Sequence, residues 1–262
     1  MGTPPPLELV EIAVEAAHAA GELLLARFRT PVAGVGSKSS ATDMVSEADR
    51  SSEALIREWL RAARSDDAII GEEHGTVEGT SGLRWVVDPL DGTTNFLFGI
   101  PQWCVSIACE DASGGIAVVV HDPIRDETFT AARGGGAFLG ERRLHVSVKS
   151  DLADALVATG FSYLAEERAV AAERLVRVLP RVRDVRRAGS AALDLAWTAA
   201  ARFDAYYEVP THHWDRAAGE VLVREAGGVT SELDPIGPSG SGLVAAGPGL
   251  HDALRALVLD AR

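Results

Sequence analysis

The chain has 262 residues, of which 47% are hydrophobic and 24% charged, a composition typical of a globular protein with a sizeable core. Its net charge of −13 disfavours nucleic acids and anionic membranes as partners, although a small phosphorylated substrate can bind where cations or backbone amides reverse the field. The amino terminus lacks the basic start of a signal peptide, and no segment has the apolar length of a membrane span, so we expect a cytoplasmic protein.

The first third of the chain predicts two amphipathic helices. Apolar residues keep a helical period from Leu7 to Phe28, with glutamates on the opposite face. A second helix is predicted from Glu47 to Ala63. Ser46 and Asp49 have the spacing of a capping box, which places Asp49 in the first turn of that helix. Four residues are predicted to form its buried stripe: Leu55, Ile56, Trp59 and Leu60.

Short strands follow the second helix. The stretch "AIIGEE" predicts a strand that ends at Glu72, and "RWVVD" predicts one that ends at Asp88. Between residues 103 and 140, β-rich runs separated by Gly and Asp-Pro predict an antiparallel meander. Cys104 and Cys109 have an odd spacing on one of these strands, so they should lie on opposite faces without a disulfide, as in a reducing compartment.

Strands and helices alternate after residue 150, with a helix predicted from Ala165 to Val178 and another in "SAALDLAWTAAARF". The sequence therefore predicts an α/β fold in one compact unit: an α+β half with an antiparallel sheet over residues 1–145, and an α/β half over 146–262. The stretch "DPIGPSGSG" predicts a surface loop without a functional role.

Two aspartates in "WVVDPLDGTTNF" are the first candidate site residues. Asp88 ends a strand, and Asp91 precedes Gly92, Thr93 and Thr94, which read as the start of a helix with free amides for an anionic oxygen. Carboxylates beside such an anion site indicate a divalent cation, and Mg²⁺ prefers a few carboxylates together with phosphate and water. Taken alone, the same spacing favours a turn residue and a helix N-cap.

Further acidic residues favour the cation site. Glu72 ends another predicted strand, and Asp49 lies in a first helical turn, where capping alone would also explain it. Asp215 in "HHWDRAAGE" opens a helix and fits a cap as well as a metal ligand. Adjacent histidines rarely bind one ion together, so His212 and His213 are interpreted as pocket wall or ordinary packing and not as a zinc site.

Four motifs, "DMVSEAD", "GEE", "WVVDPLDGTTNF" and "WDRAAGEVLVREAGG", resemble in order those of the inositol monophosphatase family of metal-dependent, lithium-sensitive sugar phosphatases. They span residues 43 to 228. The resemblance implies a layered α-β-α-β-α sandwich, a homodimer, and Mg²⁺-dependent hydrolysis of phosphate monoesters, with inositol 1-phosphate as the first choice. It also implies two or three Mg²⁺ ions, with Mn²⁺ as a substitute and Ca²⁺ and Li⁺ as inhibitors.

The resemblance also implies roles for individual residues. One Mg²⁺ would be bound by Glu72, Asp88 and the backbone carbonyl of Leu90. A second would be bound by Asp88, Asp91 and Asp215, and a third, weaker ion would use Glu72. Asp49 and Thr93 would orient the attacking water, which makes them catalytic together with Glu72. The phosphate cradle would comprise Gly92, Thr93 and Thr94. Substrate hydroxyls would be bound by Asp91, Gly189, Ser190, Ala191 and Glu208.

The identity of the substrate is less sharply indicated than the chemistry. The stretches "RRAGSAALDLAW" and "DAYYE" resemble enzymes that act on inositol phosphates. Relatives that hydrolyse histidinol phosphate, fructose 1,6-bisphosphate or adenosine bisphosphates share the same metal core, and Glu208 would also fit a strand end that faces solvent. An interaction protein that uses the scaffold surface is the alternative of another class, since some bacterial relatives associate with the transcription machinery. The intact acidic set argues against a role without catalysis.

Overall fold

The computed structural model describes residues 4–28, 36–37, 44–45 and 47–259. Ser46, the predicted helix cap, lies outside the described residues. The helices are α1 (Pro6–Arg27), α2 (Glu47–Ala63), α3 (Thr93–Leu97), α4 (Ala165–Val178), α5 (Ala191–Ala199), α6 (His213–Glu225) and α7 (Pro248–Leu259). No helix in these ranges combines the length and the apolarity that crossing a membrane requires.

The strands form a pair and two larger sheets. The pair is β1 (Gly36–Ser37) and β2 (Met44–Val45). The larger sheet contains β3 (Ala68–Gly71), β4 (Gly75–Val77), β5 (Arg84–Asp91), β6 (Cys104–Asp111), β7 (Gly114–Asp122), β8 (Glu127–Ala132), β9 (Gly136–Leu139) and β10 (Arg142–Arg143). The smaller sheet contains β11 (Leu156–Thr159), β12 (Asp184–Arg186), β13 (Ala205–Glu208), β14 (Val229–Leu233) and β15 (Gly242–Ala246).

The eight-stranded sheet has the order β10-β9-β8-β7-β6-β5-β3-β4, and β3 pairs with β5 in parallel while its other pairs are antiparallel. The five-stranded sheet has the order β12-β11-β13-β15-β14, in which β11 is parallel to both of its neighbours. The meander predicted from short β-rich runs is β6 to β9. The predicted boundary near residue 145 falls between the last strand of the large sheet and the first of the small one.

The helices and sheets stack in five layers. Helices α1 and α2 pack on one face of the large sheet, α5 and α6 lie between the two sheets, and α4 and α7 cover the far side of the small sheet. Three hydrophobic clusters fill the spaces between layers. The arrangement is the α-β-α-β-α sandwich that the family resemblance implied.

Alternation along the central strands assigns side chains to these clusters. On β5, Val87 faces α1 and α2, whereas Val86 faces the middle layer. Cys104 and Cys109 follow the same rule on β6, since Cys104 lies in the middle cluster and Cys109 in the outer one. Both cysteines are free, as their odd spacing predicted.

Helix α2 has the predicted bounds but not the predicted buried face. Of the four residues predicted to be buried, Ile56 and Leu60 are buried, Leu55 is half-buried, and Trp59 is 41% exposed. Glu53 takes the buried place instead, with an exposure of 0%. Its carboxylate accepts hydrogen bonds from Arg57 Nε at 2.6 Å and from the amide of Glu73 at 2.6 Å, which compensates for its burial. The prediction for Trp59 was therefore wrong because a long-range polar contact determined which face turned inward.

Candidate active site

A β-bulge in β5 brings Asp88 and Asp91 to the same face of the sheet. Asp88 pairs with Ser106 and Asp91 with Cys104, so β5 advances by three residues where β6 advances by two. In a regular strand, side chains three residues apart would point to opposite faces. Pro89 fits this interruption because it has no amide for the ladder, and Ser52 of α2 donates a hydrogen bond to its carbonyl at 2.9 Å. Both aspartates therefore face the middle layer.

The start of α2 meets the start of α3 at this bulge. Thr93 Oγ1 lies 3.2 Å from Asp49 Oδ1 and 3.0 Å from the carbonyl oxygen of Leu90. Asp49 is in the first turn of α2, as predicted, and its side chain is buried. The pair joins residues 44 positions apart in a hydroxyl–carboxylate contact.

The start of α6 contributes Asp215 from the other half of the chain. Its Oδ2 accepts a hydrogen bond from the amide of His212 at 2.7 Å, so Asp215 caps its helix and also lines the cavity described next. Glu72 follows β3, and its amide continues the strand pairing by donating to the carbonyl of Val87 at 3.3 Å. Because β3 and β5 are parallel neighbours, Glu72 emerges at the same sheet edge as Asp88.

These elements surround one cavity of about 480 Å³. On its acidic side the lining comprises Glu72, Asp88, Leu90, Asp91, Gly92, Thr93 and Asp215. On the other side it includes Gly189, Ser190, Ala191, Asp194, Glu208 and Arg187. All predicted metal and substrate residues are thus in the lining. Thr94 lies next to Thr93, outside the lining.

Burial and mutual repulsion disfavour the charged forms of the carboxyl groups on the acidic side. Burial raises the pKa of Asp88 well above its usual value, and the charges of Glu72, Asp91, Asp215 and Asp49 raise it further. Burial likewise raises the pKa of Asp215 well above its usual value, with repulsion from Glu72 and Asp91. The pKa of Asp91 is raised by burial, although hydrogen bonds from Ser190 and Ala192 oppose the shift.

The donor set suits a hard divalent cation. Buried carboxylates that repel one another are stabilised when a cation lies between them, and oxygen ligands are those that Mg²⁺ prefers. Within the described residues, no three acidic, imidazole or thiol side chains are grouped so that they could hold a metal ion as they stand. The carboxylates instead accept protein hydrogen bonds: Asp88 Oδ1 from the amide of Leu90 at 3.1 Å, and Asp91 Oδ2 from Ser190 Oγ at 2.5 Å and Ala192 N at 2.7 Å.

Helix α3 begins beside these carboxylates. Its first backbone hydrogen bond runs from the amide of Phe96 to the carbonyl of Gly92 at 3.0 Å, so the amides of Gly92 to Thr94 precede the helical ladder. Gly92 has a φ of 98°, in the left-handed region that favours glycine. Its Cβ, if present, would lie 2.9 Å from the carbonyl oxygen of Gln102, so a side chain would also clash there.

The start of α5 forms the opposite side of the cavity. Ser190 caps α5, accepting from the amide of Leu193 at 3.3 Å while its hydroxyl donates to Asp91. Glu208 at the end of β13 lines the cavity and accepts a hydrogen bond from the Tyr206 hydroxyl at 3.0 Å. Burial raises the pKa of Glu208 to about 7, and the Arg187 charge opposes this. Glu208 is therefore a cavity residue and not a strand end that faces solvent.

His212 and His213 occupy the two kinds of environment that were predicted, a pocket wall and ordinary packing. His212 lines the cavity and stacks on Trp214 with ring centroids 5.0 Å apart. His213 points elsewhere, with its Nε2 3.0 Å from Glu110 Oε2.

Several lining residues were not predicted. Arg187 and Asp194 lie within the quoted stretch "RRAGSAALDLAW", and their positions about one helical turn before and after Ser190 were the available signal. Tyr163 and Ser239 come from loops and gave no sequence signal; Ser239 belongs to the stretch predicted to lack a functional role.

The chain is similar to proteins of known family. The model of the inositol monophosphatase family matches residues 6–261. The Nus factor SuhB of Escherichia coli strain K12 is 44% identical over 227 residues, which cover 86% of this chain and 85% of that protein. An inositol-1-monophosphatase of Rhizobium meliloti is 43% identical over 228 residues, covering 86% of each. The crystal structure of extragenic suppressor protein suhB from Bartonella henselae superimposes with a TM-score of 0.90 at 38% identity, covering 97% of this chain and all of that one (100%).

Proposed function

The chain belongs to the inositol monophosphatase family, and from this premise we propose that it is a Mg²⁺-dependent phosphomonoesterase whose substrate is inositol 1-phosphate. The observation that supports this proposal most is the β5 bulge. Because of the bulge, the side chains of Asp88 and Asp91 face the same cavity as Glu72 and Asp215. This cavity lies directly beside the free amides at the start of α3.

The cation site is the first part of the proposal. Glu72, Asp88, Asp91, Asp215 and the carbonyl oxygen of Leu90 would hold Mg²⁺. Bound Mg²⁺ supplies Lewis-acid chemistry, since it neutralises charge on the phosphoryl group and acidifies water. The protein's own contribution is to keep these oxygens in place: the Ser190 hydroxyl and the amide of Ala192 fix one oxygen of Asp91, and the amide of His212 fixes one oxygen of Asp215.

Thr93 and Asp49 form the proposed proton path. A phosphate monoester dianion repels its nucleophile, so the attacking water must be held in line and relieved of a proton. The Thr93 hydroxyl lies within hydrogen-bond distance of Asp49 Oδ1, at 3.2 Å. Thr93 can therefore accept a hydrogen bond from the water while donating its own proton to the carboxylate, which directs the proton toward Asp49. Because water attacks directly, the scheme needs no covalent phosphoenzyme.

The remaining residues bind the two ends of the ester. The amides of Gly92, Thr93 and Thr94 would donate to phosphoryl oxygens, where they stabilise the charge that spreads in the transition state. Across the cavity, Gly189, Ser190, Ala191 and Glu208 would bind hydroxyl groups of the alcohol. Asp91 lies between the two groups and is within reach of both. A polyol fits this side because its hydroxyls can both donate and accept hydrogen bonds.

The test is phosphate release from a panel of esters, ranked by kcat/KM. The panel contains inositol 1-phosphate, histidinol phosphate, fructose 1,6-bisphosphate and adenosine 3′,5′-bisphosphate, each with Mg²⁺ and with EDTA. We expect inositol 1-phosphate to rank first and EDTA to abolish release. Asp91→Asn should be inactive, and the matched control Asp252→Asn, whose side chain is fully exposed (100%), should behave as wild type. If another ester ranked first, that ester would replace inositol 1-phosphate as the proposed substrate. If no ester released phosphate, the proposed phosphatase activity would be refuted.

A second function is favoured by the name of a relative. The E. coli protein, 44% identical, is called a Nus factor, which suggests an interaction role. We propose that such a role would use the protein surface and coexist with hydrolysis. We also propose that the chain forms a homodimer in solution. The test is complementation: in E. coli cells, the SuhB relative is replaced either by the wild-type chain or by its Asp91→Asn variant. The comparison distinguishes an interaction role from hydrolysis. Equal rescue by both variants would show that the interaction role does not need the phosphatase.

A further inference from the structure

Five cavity residues lie on loops and come from two distant parts of the chain. We call Phe161, Ser162, Tyr163, Leu164 and Ser239 the outer wall; all five line the cavity. The first four follow β11, and Ser239 precedes β15. The outer wall borders the alcohol side of the cavity, because the guanidinium carbon of Arg187 lies 6.0 Å from the centroid of the Phe161 ring. A Cβ at Gly160, the residue before Phe161, would lie 2.1 Å from Glu208 Oε1.

Glu167, in the first turn of α4, joins the two parts of the outer wall. The residue is buried, with 2% exposure, and it does not line the cavity itself. Glu167 Oε2 accepts a hydrogen bond from Ser162 Oγ, and Oε1 accepts one from the amide of Ser239 at 3.0 Å. Burial opposes ionisation, but these hydrogen bonds outweigh it and lower the pKa of Glu167 below its usual value.

The geometry around Glu167 leaves little freedom to either loop. A Cβ at Gly237 would lie 2.4 Å from Glu167 Oε1, so the second loop packs directly on the carboxylate. On the first loop, the amide of Leu164 donates to Ser162 Oγ at 3.0 Å, and Arg168 Nη1 donates to the carbonyl of Tyr163 at 2.8 Å. The carboxylate is thus the element common to both loops, whereas Arg168 contacts only the first.

We propose that Glu167 is a positioning residue for the alcohol side of the cavity: by joining Ser162 to Ser239, it holds the outer wall against the substrate's polyol. This inference rests on the proposed function. Glu167 does not touch the substrate, and its effect is on the shape of the pocket for the alcohol. Its loss should therefore weaken binding of the polyol and leave the phosphate end and the chemical step intact.

The first measurement is hydrogen exchange on the substrate-free protein. In Glu167→Ala the amide of Ser239 loses its acceptor, so peptides covering residues 160–164 and 236–241 should exchange at least about tenfold faster, as expected for the loss of a hydrogen bond to a charged group. The matched control is Glu166→Ala, which removes an exposed glutamate from the same turn and should change neither peptide. Unchanged exchange in Glu167→Ala would overturn the proposal.

The second measurement separates binding from chemistry, using the ester that wild type hydrolyses best. We expect KM to rise about tenfold in Glu167→Ala, the factor that corresponds to about 1.4 kcal/mol, with kcat within about twofold. The inhibition constant of inorganic phosphate should be unchanged because phosphate binds at the α3 end. A fall in kcat with unchanged KM would refute a positioning role.

Two further variants keep the test informative if Glu167→Ala folds poorly. Glu167→Gln keeps one acceptor oxygen for two donors, so its exchange and KM should fall between wild type and Glu167→Ala. Ser162→Ala removes one donor and leaves the contact with Ser239, so only the 160–164 peptide should exchange faster. Because exchange needs no substrate, failure of the proposed phosphatase would appear as an inactive wild type, separately from the result for Glu167.

Discussion

Replacing Glu208 by glutamine should change the pH dependence of folding stability. Burial raises the pKa of Glu208 from the usual 4.5 to about 7. A carboxyl with a raised pKa favours the folded state while it is protonated, and this contribution is lost as the pH rises from about 4.5 through about 7. A shift of this size corresponds to about 3 kcal/mol in the free energy of unfolding.

The assay is urea unfolding of wild type and Glu208→Gln in EDTA, at several pH values from 4.5 to 8. Glutamine cannot ionise, so the free energy of unfolding of the variant minus that of wild type should increase by about 3 kcal/mol over this range. The difference should be largest above pH 7. The hydrogen bond from the Tyr206 hydroxyl can be kept by the amide oxygen and should not alter the slope. Glu166→Gln, on an exposed site, is the control and should show a constant difference. A constant difference for Glu208→Gln as well would refute the buried placement of Glu208.

Three other predictions concern the acidic side. Asp88→Asn should lower kcat/KM by about a thousandfold or more, because several kcal/mol of cation-dependent stabilisation of the transition state would be lost. Its melting temperature in EDTA should not fall, since the substitution removes a buried carboxyl group that its neighbours repel. Unfolding of the variant would show a structural role for Asp88 instead. Thr93→Val should lower kcat by about a hundredfold while Thr93→Ser keeps most activity, which steady-state kinetics would check; equal activity of both would exclude the hydroxyl from proton transfer. Lithium on the order of millimolar should inhibit phosphate release, because a monovalent ion in a carboxylate site supplies less charge than Mg²⁺, and indifference to lithium would contradict the proposed ion site.

The sequence predicted the elements more successfully than their buried faces. Hydrophobic periodicity and caps are local signals, and α2 and α4 have the predicted bounds. The buried face of α2 depended on Glu53, whose partners at Glu73 and His74 lie 20 and 21 residues away, and no local pattern contains that information. Strand β14 was missed for a related reason: its edge position and mostly half-exposed residues leave no alternating apolar pattern.

The acidic side of the site was also predictable residue by residue, because its members belong to a few short motifs. Asp88, Asp91, Glu72 and Asp215 meet in one cavity as expected, and their roles as metal ligands stay a prediction. The outer wall was not predictable. Ser239 reaches the cavity through its hydrogen bond to Glu167, 72 residues earlier, and a Gly/Pro-rich stretch gives no indication of such a partner.

The bulge in β5 makes the acidic site depend on the parity of one strand. If Asp88, Pro89, Leu90 and Asp91 paired one for one with β6, Asp91 would turn toward the α1 layer, away from Asp215 and Ser190. The bulge therefore decides whether the two aspartates face one cavity.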